Sequence, residues 1–391
     1  MQTFHRPLIV GGGPVGLAAG VFLARDGIAT RIVEKNHAAS VQSKALAINP
    51  RTLEILDAVG LTERLLAIGK IVNGACLWHG ERLAATIDFT GRLKGKYPFM
   101  LALSQATPEC LLEETLVDFG GTVERGSQLI DCKDEADGVS ATLDTKNGQE
   151  RYHAEWMLAA DGAHSTTRES LNIEFPGSTF REKWDLADVP LATSLAEDRA
   201  HAIFLPNREF QFMIRVIDPH MEQMASGPLW RVMGNRPGLL ERLAHGKVLG
   251  PAVWSSSFGV SHRINRTMSA GHVYFAGDAA HLHSPVGARG MNLGIEDAWF
   301  FAQLLHRRQL SRYHELRHAI DRQVVRRVDA FSRLVACEPP IVGLFRPLLA
   351  PLVRLGLPTA RMTEIITGTD HPLGEFAPVS SEAAVPPLSH V

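Results

Sequence analysis

A glycine-rich turn near the start of the chain constrains the fold more than any other feature. It has the pattern GxGxxG and consists of Gly11, Gly13 and Gly16. The turn follows a β-type run, Leu8–Val10, and opens a nearly all-apolar segment of helical length, Val15–Arg25. A second β-type run, Thr30–Glu34, comes next. A strand, helix and strand joined by short connections are typical of the first unit of a doubly wound α/β sheet.

The spacing within this unit predicts a dinucleotide site. The first glycine of such a motif permits a tight turn, the second lets backbone approach a pyrophosphate, and the third allows close helix–strand packing. The N–H groups and positive dipole of the helix N-terminus favour phosphates. Glu34 closes the second strand 23 residues after Gly11, where its carboxylate can bond a ribose hydroxyl. FAD and NAD share this pattern, and a glycine-rich turn without a ligand is the alternative.

Two later β-type runs end in an acidic residue beside a glycine. The run Trp156–Ala160 stops at Asp161 and Gly162, and the run Val273–Ala276 stops at Gly277 and Asp278. Because carboxyl ends of parallel strands meet at one edge of a sheet, these turns are expected to lie near the first glycine turn.

The middle of the chain has a different pattern of apolar residues, from which we predict an inserted antiparallel sheet. Apolar residues alternate along 210–216 after a hairpin-like turn at Pro206 and Asn207. The predicted division is a dinucleotide-binding domain in two parts, residues 1–174 and 263–366, the latter with C-terminal helices. A substrate-binding sheet domain at 175–262 and a loosely ordered tail at 367–391 complete it. Helices are expected after Gly290 and from about Tyr313 to Leu334.

Composition excludes several classes of protein. A net charge of −2 offers no basic surplus for nucleic acid, so the expected partners are small molecules. The four cysteines, Cys76, Cys110, Cys132 and Cys337, show no CxxC or zinc-finger spacing, so we expect reduced thiols and no metal site. The uncharged stretch Leu8–Ala24 is broken by glycines, and the apolar run Ile341–Leu357 by arginine and proline. A cytoplasmic, soluble protein without stable membrane association is expected.

Two further motifs identify a family. One is DGxxSxxR, formed by Asp161, Gly162, Ser165 and Arg168. The other follows GDAAHxxxPxxGxGxN, formed by Gly277, Asp278, His281, Pro285, Gly287, Gly290 and Asn292. A Gln105/Glu109/Leu112 helix start and a late Tyr313/Arg317 pair accompany them. From residue 8 to about 317 the chain resembles the single-component (class A) FAD-dependent aromatic hydroxylases, the para-hydroxybenzoate hydroxylase-like flavoprotein monooxygenases.

This resemblance implies both a fold and an activity. The fold is α/β, a Rossmann-like FAD-binding domain of the para-hydroxybenzoate hydroxylase/glutathione reductase type, with an inserted antiparallel β-sheet domain and C-terminal helices. The activity is that of an FAD-dependent monooxygenase. It would use NADH or NADPH and O2 to hydroxylate an aromatic or phenolic small molecule, including polyketide-derived ones, through a flavin hydroperoxide. No second GxGxxG marks a permanent NAD(P)H site, as expected for a transient reductant.

The resemblance also assigns residues to the cofactor. Asp278 would hold the ribitol or pyrophosphate, Gln105 the ribityl region and Leu129 the adenine, while Asp161 and Arg168 organise a turn and the nicotinamide encounter. Gly287 and Gly290 free the backbone before a helix, whose N-terminus can face the flavin pyrimidine edge. The predicted cofactor-binding residues are Gly11, Gly13, Pro14, Val15, Gly16, Glu34, Lys35, Lys44, Gln105, Leu129, Asp161, Gly162, Gly277, Asp278, Pro285, Gly287, Arg289, Gly290, Met291 and Asn292.

Two residues depart from the family pattern. Arg289 stands where the family often has glutamine, and it either stabilises an anionic reduced flavin or a substrate carboxylate, or points to solvent. Lys44 stands where the family often has arginine and loses bidentate reach.

Other side chains keep two interpretations. His281 and His283 are expected to pack or cap near the flavin, with proton transfer as the alternative. The histidines without a motif, His201, His220 and His262, are expected at the surface or in the core. Phe204 and Phe212, with Phe210 and Trp230, either line an aromatic substrate pocket or pack in the core. No residue is assigned as catalytic acid or base.

Three alternative functions remain at this point. A reductase or dehydrogenase of the same fold would act on an apolar substrate, with Leu344–Leu357 as a cover. A flavin-dependent halogenase is disfavoured because the WxWxIP segment of that group is absent from the sequence. A non-catalytic binding module is disfavoured by the intact motifs.

Overall fold

The computed structural model describes residues 6–39, 45, 47–285, 287–336 and 359–378. The helices are α1 Pro14–Arg25, α2 Pro50–Asp57, α3 Leu61–Leu66, α4 Ala106–Asp118, α5 Thr166–Ser170, α6 Pro219–Met224, α7 Gly290–His306, α8 Tyr313–Ala336 and α9 Thr359–Thr367. The strands are β1 Leu8–Val10, β2 Arg31–Glu34, β3 Lys70–Val72, β4 Gly74–His79, β5 Arg82–Asp88, β6 Met100–Ala102, β7 Val123–Arg125, β8 Gln128–Glu135, β9 Gly138–Thr145, β10 Gly148–Ala154, β11 Met157–Ala159, β12 Gly177–Ala192, β13 Arg199–Phe204, β14 Phe210–Arg215, β15 Leu229–Gly234, β16 Lys247–Val248, β17 Trp254–Ile264, β18 Ser269–Ala270, β19 Val273–Phe275 and β20 His281–Leu282.

A six-stranded sheet carries the predicted glycine and acid turns. Its order is β18-β19-β11-β1-β2-β7, and every pair except β18–β19 is parallel. The strands β1, β11 and β19 are buried along their whole length, as parallel strands covered on both faces must be. Helices α1 and α7 pack against each other beside this sheet. The α/β fold and the common edge for the three turns are confirmed.

A nine-stranded sheet forms the second layer of the site. Its main path runs β20-β17-β12-β15-β14-β13-β4-β5, with β16 paired to β12. The predicted antiparallel alternation holds between β12 and β17 and from β12 to β13. However, β4 and β5 join from outside the predicted insert, and β13 pairs with β4 in parallel. The division of the chain into domains stays a prediction.

The segment after α9 differs from the loosely ordered tail expected from residue 367. Phe376 is buried, and its carbonyl accepts a hydrogen bond from Trp299 Nε1 at 2.7 Å. An apolar anchor and a buried indole partner fix this segment, although its composition is rich in proline and glycine. The rest of the predicted tail, residues 379–391, lies outside the described residues, as do Cys337 and the predicted cover Leu344–Leu357. Among the helices that are described, none combines the length and apolar character needed to cross a bilayer.

Arg317 on α8 joins this helix to α7 through buried charges. Its guanidinium donates to Asp297 Oδ1 at 2.7 Å, to Glu296 Oε1 at 2.5 Å and to Asp321 Oδ1 at 2.6 Å. All four side chains are buried. Burial opposes ionisation, but the Arg317 charge, together with the histidine and hydrogen-bond partners of each carboxylate, lowers the pKa of Glu296 and Asp297. Burial instead raises the pKa of Asp321.

We expect Arg317→Met to destabilise the protein strongly, because it takes the fully buried guanidinium away from three buried carboxyl groups. Removing one partner of a buried ion pair costs about 3–5 kcal/mol in the free energy of unfolding. Urea denaturation of both proteins measures this. The control is Arg326→Met, which changes an exposed residue of the same helix. Equal losses in the two variants would contradict the assignment.

Candidate cofactor site

The turn after β1 has the geometry of a phosphate-binding turn. Gly11 has φ +110°, and a Cβ there would lie 2.2 Å from the carbonyl oxygen of Ala160. A Cβ on Gly16 would lie 1.9 Å from the Gly11 carbonyl oxygen. At Gly13, by contrast, a Cβ would meet nothing within 4 Å. Gly13 is also the N-cap residue of α1 and has no side chain that could bond the first N–H groups of the helix. The N–H groups of this first turn therefore face open space.

Glu34 at the end of β2 fixes this turn. Its Oε2 accepts the Gly12 N–H at 2.7 Å, and its Oε1 accepts the N–H of Asn36 at 2.9 Å. A carboxylate has about four lone-pair sites, so Glu34 retains capacity for a ribose hydroxyl. Lys35 beside it is exposed.

The turn after β11 is tied to the turn after β19. Asp161 Oδ2 accepts the N–H and the hydroxyl of Thr167, both at 3.0 Å. Arg168, which is buried, donates to Ala163 O at 2.8 Å and to Ala279 O at 3.3 Å. Arg168 therefore ties the two acid and glycine turns together. Asp161 Oδ1 is buried without a hydrogen-bond partner among the described residues.

The turn after β19 depends on helix α7. The N–H of Gly277 donates to Asp297 Oδ2 at 2.9 Å. A Cβ on Gly277 would lie 2.9 Å from Val15 Cγ2, and one on Gly294 would lie 2.5 Å from the same atom. These glycines let α7 approach the glycine turn of α1. Asp278, next in sequence, is exposed and borders a cavity.

A second open helix N-terminus lies across this cavity. Gly287 has φ +100° and Ala288 has φ +53°, and α7 begins at Gly290 without a side-chain cap. Its first N–H groups and the positive end of its dipole are available to an anionic group. Asn292 fixes the preceding backbone, because its Nδ2 donates to Ala47 O at 2.9 Å and to Ala288 O at 2.6 Å.

Arg289 does not point to solvent, so that alternative is wrong. The residue is 1% exposed, and its Nη2 lies 3.3 Å from Asp370 Oδ1. Burial lowers the pKa of Arg289. The guanidinium thus reaches a carboxylate of the C-terminal segment, an interaction that no local pattern around Arg289 indicates.

Two histidines of the late motif have different environments. His281 Nε2 lies 2.8 Å from Asp297 Oδ2, and although burial opposes protonation, Asp297 raises the pKa of His281. His283 borders the cavity, and burial lowers its pKa to about 3, so the ring is neutral near pH 7. Its Nδ1 lies 3.0 Å from Ser284 O and must carry the hydrogen, since a carbonyl only accepts.

His262 is a buried residue that sequence reasoning left without a role. Its Nε2 accepts the N–H of Ser284 at 3.2 Å, and its Nδ1 lies 3.0 Å from Asp329 Oδ1. Burial lowers the pKa of His262 to about 4, which keeps the ring neutral and able to accept this bond. His201 on β13 is also buried, and its Nδ1 accepts a hydrogen bond from Trp78 Nε1 at 3.1 Å.

These turns surround a cavity of about 760 Å³. That volume lies within the range of roughly 300–1,000 Å³ occupied by small-molecule and cofactor pockets. The predicted residues that line it are Gly13, Pro14, Val15, Gln105, Gly162, Asp278, Pro285, Arg289, Gly290 and Met291. Those that lie outside its lining are Gly11, Gly16, Glu34, Lys35, Leu129, Asp161, Gly277, Gly287, Asn292, Phe204 and Phe212. Lys44 falls outside the described residues.

Several predicted residues do not line the cavity but belong to the turns and the core around it. Gly11, Gly16 and Gly277 shape the turns as described above. Leu129 on β8 is 3% exposed and packs in the main core. Phe204 and Phe212 are partly buried and pack against the same hydrophobic cluster as Ala288, which does line the cavity.

The cavity also has lining residues that sequence reasoning missed. They are Ala45, His164, Phe175, Thr179, Phe258, Val260, Ser261 and Arg263, among others. Most lie on β12 and β17, whose divergent sequence carries no motif. Only the fold brings them opposite the glycine turns.

Gln105 joins the cavity wall to a buried acid. Its Oε1 accepts the Ala45 N–H at 3.2 Å, and its Nε2 donates to Glu109 Oε1 at 2.6 Å. Burial raises the pKa of Glu109 to about 7, although the Gln105 hydrogen bond acts in the opposite direction.

A raised carboxyl pKa in the folded state makes a testable contribution to stability. Glu109 stabilises the fold below its unfolded pKa, and this contribution is lost as pH rises through its folded pKa of about 7. We therefore expect the natural chain to lose stability between about pH 5 and 8, and we expect the Glu109→Gln variant to show no such loss. Denaturation at several pH values measures the effect. Glu114→Gln, an exposed change on α4, is the control and should keep the natural pH profile.

Comparison with known proteins agrees with this geometry. The family model described as "FAD binding domain" matches residues 6–328. The 6-methylpretetramide 4-monooxygenase of Streptomyces rimosus is 32% identical, over 88% of this chain and 63% of its own length. An uncharacterized aromatic compound monooxygenase of Bacillus subtilis is 30% identical, over 86% of this chain and 70% of its own length. The chain thus spans a little under two thirds of the first of these relatives.

A solved structure shares the whole architecture. The p-nitrophenol 4-monooxygenase of Pseudomonas putida superposes with a TM-score of 0.80, covering 95% of this chain and 98% of that one at 23% identity. At that identity the likeness shows the fold alone. Because the family model extends over most of the sequence, the chain belongs to the FAD binding domain family.

Proposed function

We propose that this chain is an FAD-dependent monooxygenase that uses NADH or NADPH and O2 to hydroxylate an aromatic or phenolic small molecule. The observation that carries the proposal is one cavity bordered by two open helix N-termini and by the turns after three parallel strands. The relatives named above are monooxygenases of aromatic compounds or of a pretetramide, which supports the same reaction class. The activity is a proposal for this chain, because the first relative is considerably longer.

The residues around the cavity fit an adenine dinucleotide. The empty space over Gly13 and the open N-terminus of α1 suit the pyrophosphate. We assign Glu34 to the adenosine ribose, and Asp278 to the ribitol or pyrophosphate. The N-terminus of α7 would hold the pyrimidine edge of the ring system, where its dipole would favour negative charge.

The chain's own contribution to the chemistry is positioning, electrostatics and exclusion of water. Bound FAD supplies hydride acceptance and activation of oxygen, which amino-acid side chains cannot provide. The dipole of α7 stabilises negative charge at the cavity without any reorganisation of the protein. Phe258 and Val260 present apolar surface to the same cavity and limit the access of water. Neutral His283 adds no competing positive charge.

Filling the space over Gly13 should abolish FAD binding without unfolding the chain. Gly13 has φ −81°, a conformation open to any residue, so Gly13→Val is not strained. The new side chain would occupy the proposed pyrophosphate position, and we expect FAD affinity to fall at least a hundredfold, about 3 kcal/mol. Titration of the apoprotein with FAD measures this. Ala136→Val, at an exposed turn, is the control, and equal affinity of the two variants would contradict the placement.

The reaction class is tested by isotope transfer. The FAD-loaded protein is reduced anaerobically with NADH or NADPH, and ¹⁸O₂ is then admitted with a phenolic probe such as 1-naphthol. A product carrying one ¹⁸O atom is expected. Reduction followed only by peroxide release, with every phenol and quinone tried, would favour a reductase or dehydrogenase of the same fold instead.

A further inference from the structure

His283 has an unpaired nitrogen beside the cofactor cavity. Its ring borders the cavity, and its Nε2 is buried without a hydrogen-bond partner among the described residues. The Nδ1 atom lies 3.0 Å from the Ser284 carbonyl oxygen and carries the hydrogen, because a carbonyl can only accept. A neutral imidazole has one N–H, so Nε2 is an unprotonated acceptor. His283 therefore offers the cavity an acceptor and no donor.

The partner of His283 differs from those of the two other histidines in this region. His281 Nε2 lies 2.8 Å from Asp297 Oδ2. His262 Nδ1 lies 3.0 Å from Asp329 Oδ1. The Nδ1 of His283 instead faces a backbone carbonyl, which has no full negative charge to stabilise an imidazolium. Burial lowers the pKa of His283 to about 3, so the ring is suited to accept a hydrogen bond and not to take up a proton.

A second histidine holds the turn that orients His283. Ser284 is fully buried, and its N–H donates to His262 Nε2 at 3.2 Å. His262 lies on β17 and in turn contacts Asp329 on α8. The N–H of Ser284 is thus fixed by His262, while its carbonyl fixes the hydrogen on Nδ1 of His283. The bond made by one ring nitrogen sets the state of the other, so this turn keeps Nε2 unprotonated.

The surroundings of the His283 ring leave its acceptor in need of a donor. A Cβ on Gly290 would lie 3.8 Å from His283 Cε1, so the ring lies close to the start of α7. The side chains of Leu282, Pro285 and Met291 belong to the same cavity wall and carry no hydrogen-bond donor. A buried acceptor without a donor is costly, and a ligand that supplies one removes that cost.

We propose that His283 is a specificity-determining residue whose Nε2 accepts a hydrogen bond from a hydroxyl group of the substrate. This inference rests on the proposed function and goes beyond it, because it assigns one atom of the chain to the substrate and requires a neutral donor on the ligand. A ligand with a methyl group or a carboxylate at that position leaves Nε2 unpaired. His283 orients the hydroxyl and leaves the proton on it.

Two probes of nearly equal shape test this role. 1-Naphthol carries a donor, and 1-methylnaphthalene has a methyl group in its place. Each is dialysed to equilibrium at pH 7 against the FAD-loaded full chain, and bound probe is quantified by chromatography. The ratio of naphthol affinity to methylnaphthalene affinity should fall about tenfold in His283→Phe, which keeps a planar ring but removes the acceptor.

Two further variants sharpen the comparison. His283→Gln retains an acceptor oxygen in its side chain, so its affinity ratio should stay above that of His283→Phe. The matched control is His220→Phe, the same change at an exposed position of α6, which should keep the natural ratio. Equal ratios in His283→Gln and His283→Phe would contradict the acceptor role.

Titration with FAD identifies the source of the donor, because FAD also carries N–H and hydroxyl groups. The His283→Phe apoprotein should bind FAD with the affinity of the natural chain, which also shows that the variant is folded. A loss of FAD affinity together with an unchanged probe ratio would place the donor on the cofactor and overturn the inference.

The outcomes also separate this inference from the proposed reaction. A probe ratio that is unchanged in His283→Phe would overturn it, as would a failure of both probes to bind to the natural chain. Dialysis needs neither reductant nor oxygen. A ratio that depends on His283, without any ¹⁸O-labelled product, would therefore leave the acceptor role in place and contradict only the monooxygenase proposal.

Discussion

The site depends on the parallel pairing of β1, β11 and β19. Their register places Val10 beside Ala159, and Ala159 beside Phe275, so three segments that are far apart in sequence end at one edge. Each strand is buried on both faces and is followed by a glycine with positive φ, at Gly11, Gly162 and Gly277. A slip of one residue would move each side chain to the opposite buried face, where the packing is different, and would also separate the turns. The packing of the strands and the geometry of the site therefore depend on the same register.

Asp297 extends this constraint to the helices. Its carboxylate accepts a hydrogen bond from the Gly277 N–H, lies 2.8 Å from His281 and forms an ion pair with Arg317. The Asp297 side chain is fully buried. A single carboxylate therefore joins a cofactor turn, a histidine of the late motif and the long helix α8. Arg317 also contacts Glu296, Glu296 contacts His371, and His371 contacts Asp370. Because unpaired charge is costly in such surroundings, the C-terminal segment and the cofactor turn are held as one unit.

Sequence reasoning succeeded where function is encoded by local backbone requirements. The glycines at 11, 13 and 16, the strand ends at Asp161 and Gly277, and the start of α7 at Gly290 all follow from short patterns with a physical reason. It failed where partners are distant. Nothing near Arg289 indicates Asp370, and nothing near β13 indicates a parallel partner more than a hundred residues upstream. His262 carries no motif, yet the fold buries it against Ser284.

The most direct test of the account is a crystal structure of the protein grown with FAD. The account predicts a single dinucleotide with its pyrophosphate over Gly13 at the N-terminus of α1, its ribose at Glu34, and its ring system against the N-terminus of α7. A protein that binds no FAD, or a dinucleotide lying away from the turns after β1 and β19, would contradict the central claim that these strand ends build one cofactor site.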